Sequence, residues 1–278
     1  MALADYNAFL AKLAAPNKTH TITKVSLTTV AGRSFSLWTV APFAGAAPTT
    51  AVGVAGTTTG CVWPYQSAGT IAAGRSLRII QHEMAAANPT MLMICDRLAH
   101  SGGLSGTVTT YQTTNLPTPP LVRYTDGAGV WCAAEIYTQI GATGTTGTIN
   151  YTNQAGTSGR TGADAPIGAT TYREASRIVL MPLQSGDTGV RSVQGFQLKA
   201  TTATAGNFGV TLFKPLMMVP LLSYNYEHVY DTILGLSGQN PVLAGMTTPG
   251  TSACIWYVVI TFTTAPGIIN TSTLLSED

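Results

Sequence analysis

The sequence predicts an all-β fold, a two-sheet sandwich of jelly-roll type. Polar and apolar residues alternate over residues 34–38, and apolar side chains occupy every second position from Val130 to Ile136, which is the period of a strand. Threonine, a β-branched residue that favours strands, occurs 44 times. No charged or proline-rich linker divides the 278 residues, so a single main domain is expected.

The predicted organisation is an N-terminal helical arm at residues 1–18, followed by a β-sandwich domain at residues 19–278. Apolar side chains recur in the arm at three- and four-residue intervals until Pro16, which is typical of one face of a short helix. A helix of this length is unstable alone, so its apolar face is expected to contact a partner. The residues of that face are Leu3, Tyr6, Phe9, Leu10 and Leu13.

The strands predicted by alternation and by flanking Gly, Pro or Asn residues are, in chain order, Thr21–Leu27, Ser34–Trp38, Leu77–Met84, Thr90–Leu98, Thr107–Tyr111, Val130–Tyr137, Thr148–Asn153, Arg177–Leu183, Val190–Ala200, Phe208–Phe213 and Ala253–Phe262. Those with a regular alternation are expected to be half-buried. Val193 is out of phase with Phe196 beside Gly195, which indicates a β-bulge.

Two segments depart from the strand pattern. Residues 226–234 carry apolar side chains on one helical face, with Asn225 as a cap and Gly235 as a stop, so one short helix is predicted there. Residues 41–60 contain mainly Gly, Ala, Thr and Pro and are too long for an ordinary connection. We expect this loop to contact a partner.

The charge content is low and excludes several classes of function. The chain has 14 Lys and Arg and 12 Asp and Glu, which is 9% of its residues and a net charge of +2, against about 25% charged residues in typical soluble domains. No basic run or stripe is present, so nucleic acid is not expected as a direct partner. A surface with few charges must be covered by small polar groups or by a partner.

No segment resembles a membrane-spanning helix or a signal peptide. The longest apolar runs, Leu216–Leu222 and Cys254–Ile260, are far shorter than the roughly 18 residues that a spanning helix needs. Asp5 and Pro16 do not fit a signal peptide, so synthesis in the cytoplasm is expected. The same observations, with no aromatic girdles, disfavour an outer-membrane protein.

The cysteines are widely spaced and form no metal or redox motif. Cys95, Cys132 and Cys254 lie in apolar runs, where a thiol behaves as a small buried hydrophobe, and Cys61 has no His or Cys at ligand spacing. Disulfide formation stays open. No metal ligand and no cofactor is predicted.

No catalytic residue is predicted, and the protein is not expected to be an enzyme. His82 and Glu83 are adjacent, so on a strand they point to opposite faces. Residues 96–106 contain an acid, a base and two serines but no nucleophile elbow and no phosphate-binding lysine. This segment is predicted to be a glycine-rich hairpin, with Asp96 and Arg97 pairing at its base.

Aromatic residues supply a second hypothesis. Trp38, Trp63, Tyr65 and Trp131 could stack on a sugar, and the polar loop from Tyr151 to Arg160 could add neutral hydrogen bonds; the sugar-binding hypothesis uses Trp63, Tyr65 and this loop. The alternative is that aromatic residues fill the core, and we assign Trp131 and Trp256 to it. Glu227 and Asp231 share a face of the predicted helix and are interpreted as solvated or partner-facing, not as metal ligands.

Several phrases, read together with the N-terminal arm, resemble tailed-bacteriophage virion structural proteins. They are VAGRSFSLW at residues 30–38, DRL with HSGGLSGT at 96–107, YTNQAG at 151–156 and GDTGVRSV at 186–193, and the resemblance spans most of the chain. These phrases have no catalytic roles in the group. The resemblance therefore implies a place in the particle and carries over no functional residue.

The resemblance implies a capsid decoration, or cement, protein on the outer surface of the capsid. Its expected partners are the major capsid protein and further copies of itself, with a trimer favoured. The expected contacts are the arm, the loop at residues 41–60, Trp63, Tyr65 and Arg160. The alternative is a collar, spike or fibre component that binds host carbohydrate.

Overall fold

The computed structural model describes residues 7, 19–28, 30–41, 44–46, 60, 63–64, 75–84, 90–114, 116, 121–221, 230–231, 253–261 and 266–277. Within this part of the chain the structure has sixteen β-strands, and Asn7, the one described residue of the predicted arm, is helical. The all-β prediction is therefore confirmed for the described residues. None of them belongs to a helix that is long and apolar enough to cross a membrane.

The strands are, in chain order, β1 (Thr19–Thr28), β2 (Arg33–Ser36), β3 (Trp63–Pro64), β4 (Arg75–Met84), β5 (Thr90–Leu104), β6 (Gln112–Thr113), β7 (Trp131–Thr138), β8 (Thr145–Asn153), β9 (Arg160–Thr161), β10 (Ala165–Ile167), β11 (Arg177–Leu180), β12 (Val190–Leu198), β13 (Asn207–Leu221), β14 (Tyr230–Asp231), β15 (Cys254–Thr261) and β16 (Pro266–Glu277).

The largest sheet closes on itself. Its strands follow the order β2, β11, β7, β13, β5 and β15, and β2 also pairs with β15, so six antiparallel strands form a barrel. Ser34 lies at the point of closure, opposite Ile178 on one side and Ile260 on the other. The short strand β3 pairs with the first residues of β15. Closure gives each of the six strands a neighbour on both sides.

Two further antiparallel sheets accompany the barrel. One has the order β10, β8, β12 and β6, with β9 paired to β8. The other has the order β1, β16, β4 and β14, and it joins strands from the two ends of the described chain. The jelly-roll arrangement expected from the sequence is not confirmed, because the pairing order contains a closed barrel.

The main hydrophobic core lies between the barrel wall and the sheet that contains β8 and β12. Ile149 of β8 and Phe196 of β12 belong to the same buried cluster as Ile136 of β7 and Phe208 of β13, and the two phenylalanine rings meet edge to face at 5.1 Å between centroids. The two sheets therefore form a sandwich across this core.

The barrel interior holds a second core. Its buried residues are Trp38, Met93, Cys95, Ala133, Ile178, Phe213, Cys254, Trp256 and Val258. Successive residues of β7 enter the two cores alternately, so that Ala134 lies in the sandwich core and Ala133 in the barrel. Both faces of β7 are thus buried over most of its length, and the prediction that it is half-buried is wrong.

The bulge predicted in β12 is confirmed. The pairing of β12 with β8 shifts register between Val193 and Gly195, and again between Val190 and Ser192. Phe196 and Leu198 beyond the bulge remain in the sandwich core together with Val193. The bulge therefore brings residues of different phase to the same face.

The glycine-rich segment near residue 103 is not a hairpin. It continues β5 to Leu104 and pairs there with β13, whereas β15 pairs with the first half of β5. The register between β13 and β5 shifts between Phe208 and Val210, and Gly103 has φ +82 on the facing strand. The glycines allow an irregularity within one long strand, because glycine tolerates positive φ without steric cost.

The helix predicted at residues 226–234 is contradicted at its centre. Tyr230 and Asp231 form β14 and pair with Ile79 and Arg78 of β4. The other residues of this segment, including Glu227, lie outside the described part. The predicted strand Thr107–Tyr111 is also wrong, since these residues form turns that precede β6.

The cysteines follow the prediction at two positions. Cys95 and Cys132 are free and buried, and burial raises the pKa of both thiols. The expectation of a free thiol is wrong at Cys254, which is disulfide-bonded. Strand pairing sets Pro64 opposite Cys254, so a segment distant in sequence lies beside it, which sequence spacing alone does not reveal. Cys61 lies outside the described residues.

The close approach of β13 to β5 makes Gly209 sensitive to substitution. A Cβ at this position would overlap the carbonyl oxygen of Ser101, which is backbone and cannot rotate away. We expect Gly209→Ala to lower the free energy of unfolding by about 1–3 kcal/mol. In a chain of this size, Tm falls by about 2–4 °C for each kcal/mol of lost stability, and calorimetry measures the change in Tm.

Gly144→Ala is the matched control for this substitution. Gly144 is exposed, and its Cβ would lie 3.2 Å from the Cβ of Ala169, a contact that a small movement relieves. We expect a change of about 0.5 kcal/mol or less. Equal stability of the two variants would contradict the tight packing of β13 against β5.

Candidate functional site

The predicted arm contacts lie outside the described residues, as does Tyr65. Of the arm, only Asn7 is described, and it is exposed. Trp63 is described through its backbone, which pairs with Ile255 of β15. The prediction that these residues contact a partner stays a prediction.

The loop predicted to contact a partner is described only at its two ends. The backbone N–H of Gly45 donates to the carbonyl oxygen of Trp38 at 2.8 Å, and the indole N–H of Trp38 donates to the carbonyl oxygen of Ala46 at 3.4 Å. These residues therefore pack against the tryptophan that lines the barrel interior. The prediction that the loop contacts a partner stays a prediction.

Arg160, the one predicted contact residue with a described side chain, is held by an internal ion pair. Its Nε and Nη2 atoms donate to the two carboxylate oxygens of Asp187 at 2.9 and 3.1 Å. The carboxylate also accepts from the Tyr151 hydroxyl at 2.5 Å and from Nδ2 of Asn153 at 2.8 Å. The hydrogen bonds from Arg160 and Tyr151 lower the pKa of Asp187 to about 2.

The rest of the loop from Tyr151 to Arg160 is also tied internally. The side-chain oxygen of Asn153 accepts from the backbone of Thr157 at 2.9 Å. The side-chain oxygen of Gln154 accepts from the backbone N–H groups of Thr188 and Gly189, and its carbonyl oxygen accepts from Arg191 at 2.7 Å. Much of the polar capacity that suggested sugar binding at this loop therefore stabilises the loop itself.

A buried polar cluster lies inside the barrel. Arg97 of β5 and Glu135 of β7 form an ion pair at 2.6 Å, and their side chains are only 1% and 2% exposed. The same oxygen of Glu135 accepts from the hydroxyls of Thr211 at 2.5 Å and Tyr137 at 3.2 Å. Glu135 thus joins side chains of three neighbouring residues in space, from β5, β7 and β13.

Aromatic rings enclose the other side of Arg97. The guanidinium carbon lies 4.0 Å from the centroid of the Trp38 ring and 4.9 Å from that of Trp256. Nε of Arg97 donates to Nδ1 of His100 at 3.2 Å. Burial, and then the charge of Arg97, lower the pKa of His100 to about 2, so the imidazole is neutral and accepts this bond.

A second buried ion pair lies on the opposite face of β5. Asp96 accepts from Nε and Nη2 of Arg123 at 2.8 and 2.6 Å, and from the backbone N–H of Cys254 at 2.9 Å. Burial raises the pKa of Asp96, although Arg123 acts in the other direction. The prediction that Asp96 and Arg97 pair with each other is wrong, because adjacent strand residues point to opposite faces.

Chemistry at these clusters is limited by burial. Asp96, Arg97 and Glu135 are at most 1% exposed, so a substrate cannot reach them in this conformation. Among the described residues, no group of three His, Cys, Asp or Glu side chains could hold a metal ion. What the described clusters provide is cross-strand ion pairing that joins elements of the barrel.

Trp131 was assigned to the core, and that assignment is wrong. It is 39% exposed at the start of β7, whereas Trp256 is fully buried as expected. Leu180, at the end of β11, is 46% exposed. The two residues line one cavity of about 450 Å³, and the turn from Gln184 to Thr188 forms its polar side. Alternation alone missed this site, because it does not show that β7 begins at the surface.

No known family model matches the chain, and no curated protein matches it. A comparison with solved structures found a likeness to the crystal structure of the infectious bursal disease virus VP2 subviral particle, with 9% identity and a TM-score of 0.17. The match covers 92% of this chain and 80% of that one. A TM-score this low supports no inference about fold or function.

Breaking the ion pair inside the barrel is expected to be costly. Glu135→Gln would leave the charge of Arg97 buried without its counter-ion, and we expect a loss of about 3–5 kcal/mol in the free energy of unfolding. Urea denaturation measures the loss. Asp164→Asn is the control, because the Asp164–Lys199 pair is half exposed and separated by 3.8 Å, and it should cost less than about 1 kcal/mol. Similar losses in both variants would contradict a tightly coupled buried pair.

The neutral His100 predicts a pH dependence. Its pKa is lowered in the folded state, so below about pH 6.5 the unfolded chain binds a proton that the folded chain does not, and stability falls as pH falls through this range. We expect denaturant unfolding between pH 6 and pH 4 to show a slope that is smaller in His100→Gln by up to about 1.4 kcal/mol per pH unit.

Asp187→Asn is the control for this pH experiment. Its carboxyl has a pKa lowered to about 2, so the stability that it contributes is present above about pH 4 and is lost only as pH falls further. The variant should therefore leave the slope between pH 6 and pH 4 unchanged. An unchanged slope in His100→Gln would show that His100 titrates normally in the folded protein.

Proposed function

We propose that the protein is a non-enzymatic structural component of a tailed-bacteriophage virion, which decorates the capsid and stabilises the head by bridging coat subunits. The observation that carries the proposal is the distribution of charge. Among the charged residues whose burial is described, only Asp126, Asp164 and Lys199 are exposed. The sequence resemblance to virion structural proteins supplies the class of particle.

A surface with few charges supports a role in assembly. Covering a charged group costs the free energy of its desolvation, whereas threonine, glycine and alanine surfaces can approach another protein without that cost. The cores of protein interfaces are correspondingly depleted in charged residues. Two of the three exposed charged residues, Asp164 and Lys199, also lie within 3.8 Å of each other.

The buried charges support a non-catalytic role. Lys24, Asp96, Arg97, Glu135 and Arg177 are all buried, and the acidic residues among them are paired with arginine. An active site would leave such groups within reach of a substrate. Here Arg97 and Glu135 join β5 to β7, and Asp96 accepts hydrogen bonds from Arg123 and from the backbone of β15, which suits a protein whose task is mechanical.

The proposed partners are the major capsid protein and further copies of this chain, with a trimer as the preferred oligomer. The protein would be made in the host cytoplasm and would sit on the outer surface of the capsid. The proposed anchor is the apolar face of the arm, together with the middle of the loop at residues 41–60. A short amphipathic helix gains order by docking, which makes the arm a suitable anchor.

Deletion of residues 1–16 tests the proposal. We expect particles assembled with the truncated chain to lose the protein, because the apolar anchor is gone, while circular dichroism and thermal unfolding show an intact β domain. Occupancy is measured by cryo-electron microscopy relative to the major coat protein. Asn7→Ala is the control, since this exposed side chain lies off the apolar face, and it should leave occupancy unchanged. Unchanged occupancy of the truncated chain would overturn the assignment.

The same images distinguish the alternative. Copies spread over the shell in the hundreds agree with a decoration protein. A few copies at one vertex or on the tail would instead assign the chain to a collar, spike or fibre, and would contradict the decoration role.

A further inference from the structure

The cavity beside Trp131 combines features of a ligand site. Its volume of about 450 Å³ lies within the range of small-molecule sites. One side is apolar and one is polar. The lining residues are Trp131, Cys132, Leu180, Met181, Leu183, Gln184, Ser185, Gly186, Asp187 and Thr188. We refer to these residues as the Trp131 groove.

We propose that the Trp131 groove binds a neutral saccharide, with the indole ring as the stacking surface. The face of an aromatic ring carries partial negative charge. The C–H groups on one face of a pyranose ring carry partial positive charge, so the two stack while the sugar hydroxyls point aside. An exposed tryptophan bordered by uncharged hydrogen-bonding groups fits this chemistry.

Trp131 is held in a fixed orientation although it is exposed. Its ring meets that of Phe213 edge to face at 6.1 Å between centroids, and Phe213 is fully buried. Two residues further along the same face of β7, Ala133 is also fully buried. The indole therefore forms the border between the barrel interior and solvent. A preorganised ring loses little conformational entropy when a ligand stacks on it.

The polar side of the groove offers uncommitted hydrogen-bonding groups. The amide of Gln184 and the hydroxyls of Ser185 and Thr188 form no hydrogen bond with other described residues, and all three residues are exposed. The turn that carries them is fixed, since the N–H of Asp187 donates to the carbonyl oxygen of Gln184 at 3.0 Å. The backbone N–H of Gln184 donates to the Tyr151 hydroxyl at 2.8 Å.

The charge of the groove selects a neutral ligand. Asp187 is the one charged lining residue, and each of its carboxylate oxygens already accepts two hydrogen bonds, from Arg160, Tyr151 and Asn153. The ion pair with Arg160 balances its charge. An anionic or cationic ligand would find no free counter-ion here, whereas sugar hydroxyls can pair with the amide and hydroxyl groups.

The site differs from the sugar-binding surface that the sequence suggested. The sequence favours Trp63, Tyr65 and the loop from Tyr151 to Arg160 for that surface, and it assigns Trp131 to the core although Trp131 is among the possible stacking residues. That loop now has a supporting role, because Tyr151 and Arg160 orient Asp187 and the turn behind it. The inference concerns binding by the protein itself, so it does not rest on the capsid assignment.

Saturation-transfer NMR on the full-length protein tests the site. The probes are the methyl glycosides of glucose, galactose and N-acetylglucosamine, each at millimolar concentration. We expect transfer to the C–H protons of at least one probe. Trp131→Ala should weaken binding at least about tenfold, and Gln184→Ala about fivefold, which is the effect of losing one hydrogen bond of about 1 kcal/mol.

Two controls keep the test decisive. Tyr111→Ala removes an aromatic residue that is 47% exposed but lies outside the groove, so binding should be unchanged. Gln184→Ala removes a side chain without internal hydrogen bonds, so it reports on binding even if Trp131→Ala alters the fold. Absence of transfer to all three probes, or equal affinity of wild type and Gln184→Ala, would overturn the proposal.

The capsid-occupancy experiment distinguishes a saccharide from the other candidate occupant of the Trp131 groove, the surface of another protein. If Trp131→Ala abolishes capsid occupancy and the wild type binds no probe, the groove is a protein-docking surface and the saccharide proposal fails. That result would leave the decoration role standing. Conversely, Trp131→Ala and Gln184→Ala could both reduce saccharide binding while deletion of the arm leaves capsid occupancy unchanged. This combination would support the saccharide site in the Trp131 groove and overturn the decoration role.

Discussion

The guanidinium of Arg97, stacked between two indole rings and paired with Glu135, is the contact on which the barrel depends. The ion pair joins β5 to β7, and the contact with the Trp256 ring joins β5 to β15. Trp38 belongs to the segment that follows β2, so the contact with its ring joins that segment to the others. Thr211 of β13 binds the same carboxylate. Five of the six barrel strands, or their immediate continuations, therefore meet at one buried cation. An apolar interior could supply similar stability, but it would not fix which strands face each other.

The burial of charged side chains also explains why the surface carries few charges. Among the described residues, most ionisable side chains are buried or only partly exposed, and five ion pairs join ten of them. The described surface consists largely of threonine, glycine and alanine, with large exposed side chains at Val122 and at Trp131 and Leu180, which line one cavity. Such a surface is suited to lasting contact with other uncharged surfaces. Long-range electrostatic attraction contributes little to it.

Much of the fold could be predicted from local pattern, and the site could not. The alternation around Ala133 identified β7, and the phase change at Val193 identified a bulge, because both are properties of neighbouring residues. Closure of β2 on β15 and the pairing of Arg97 with Glu135 depend on residues far apart in sequence, so no local pattern reports them. Trp131 was misassigned for a related reason. Its position in an apolar strand indicates burial, and only the end of the barrel exposes it.

Closure of the barrel also determines the stage of synthesis at which folding can be completed. β2 begins at Arg33, and its partner β15 ends at Thr261, so the last seam of the barrel joins segments that are far apart in sequence. Synthesis on the ribosome delivers β2 long before β15 exists. During that interval β2 has one of its two neighbours missing, and such non-local pairing is slow to form. The barrel is therefore completed only after β15 has been translated, and until then its open seam is a place where nascent copies can pair with one another.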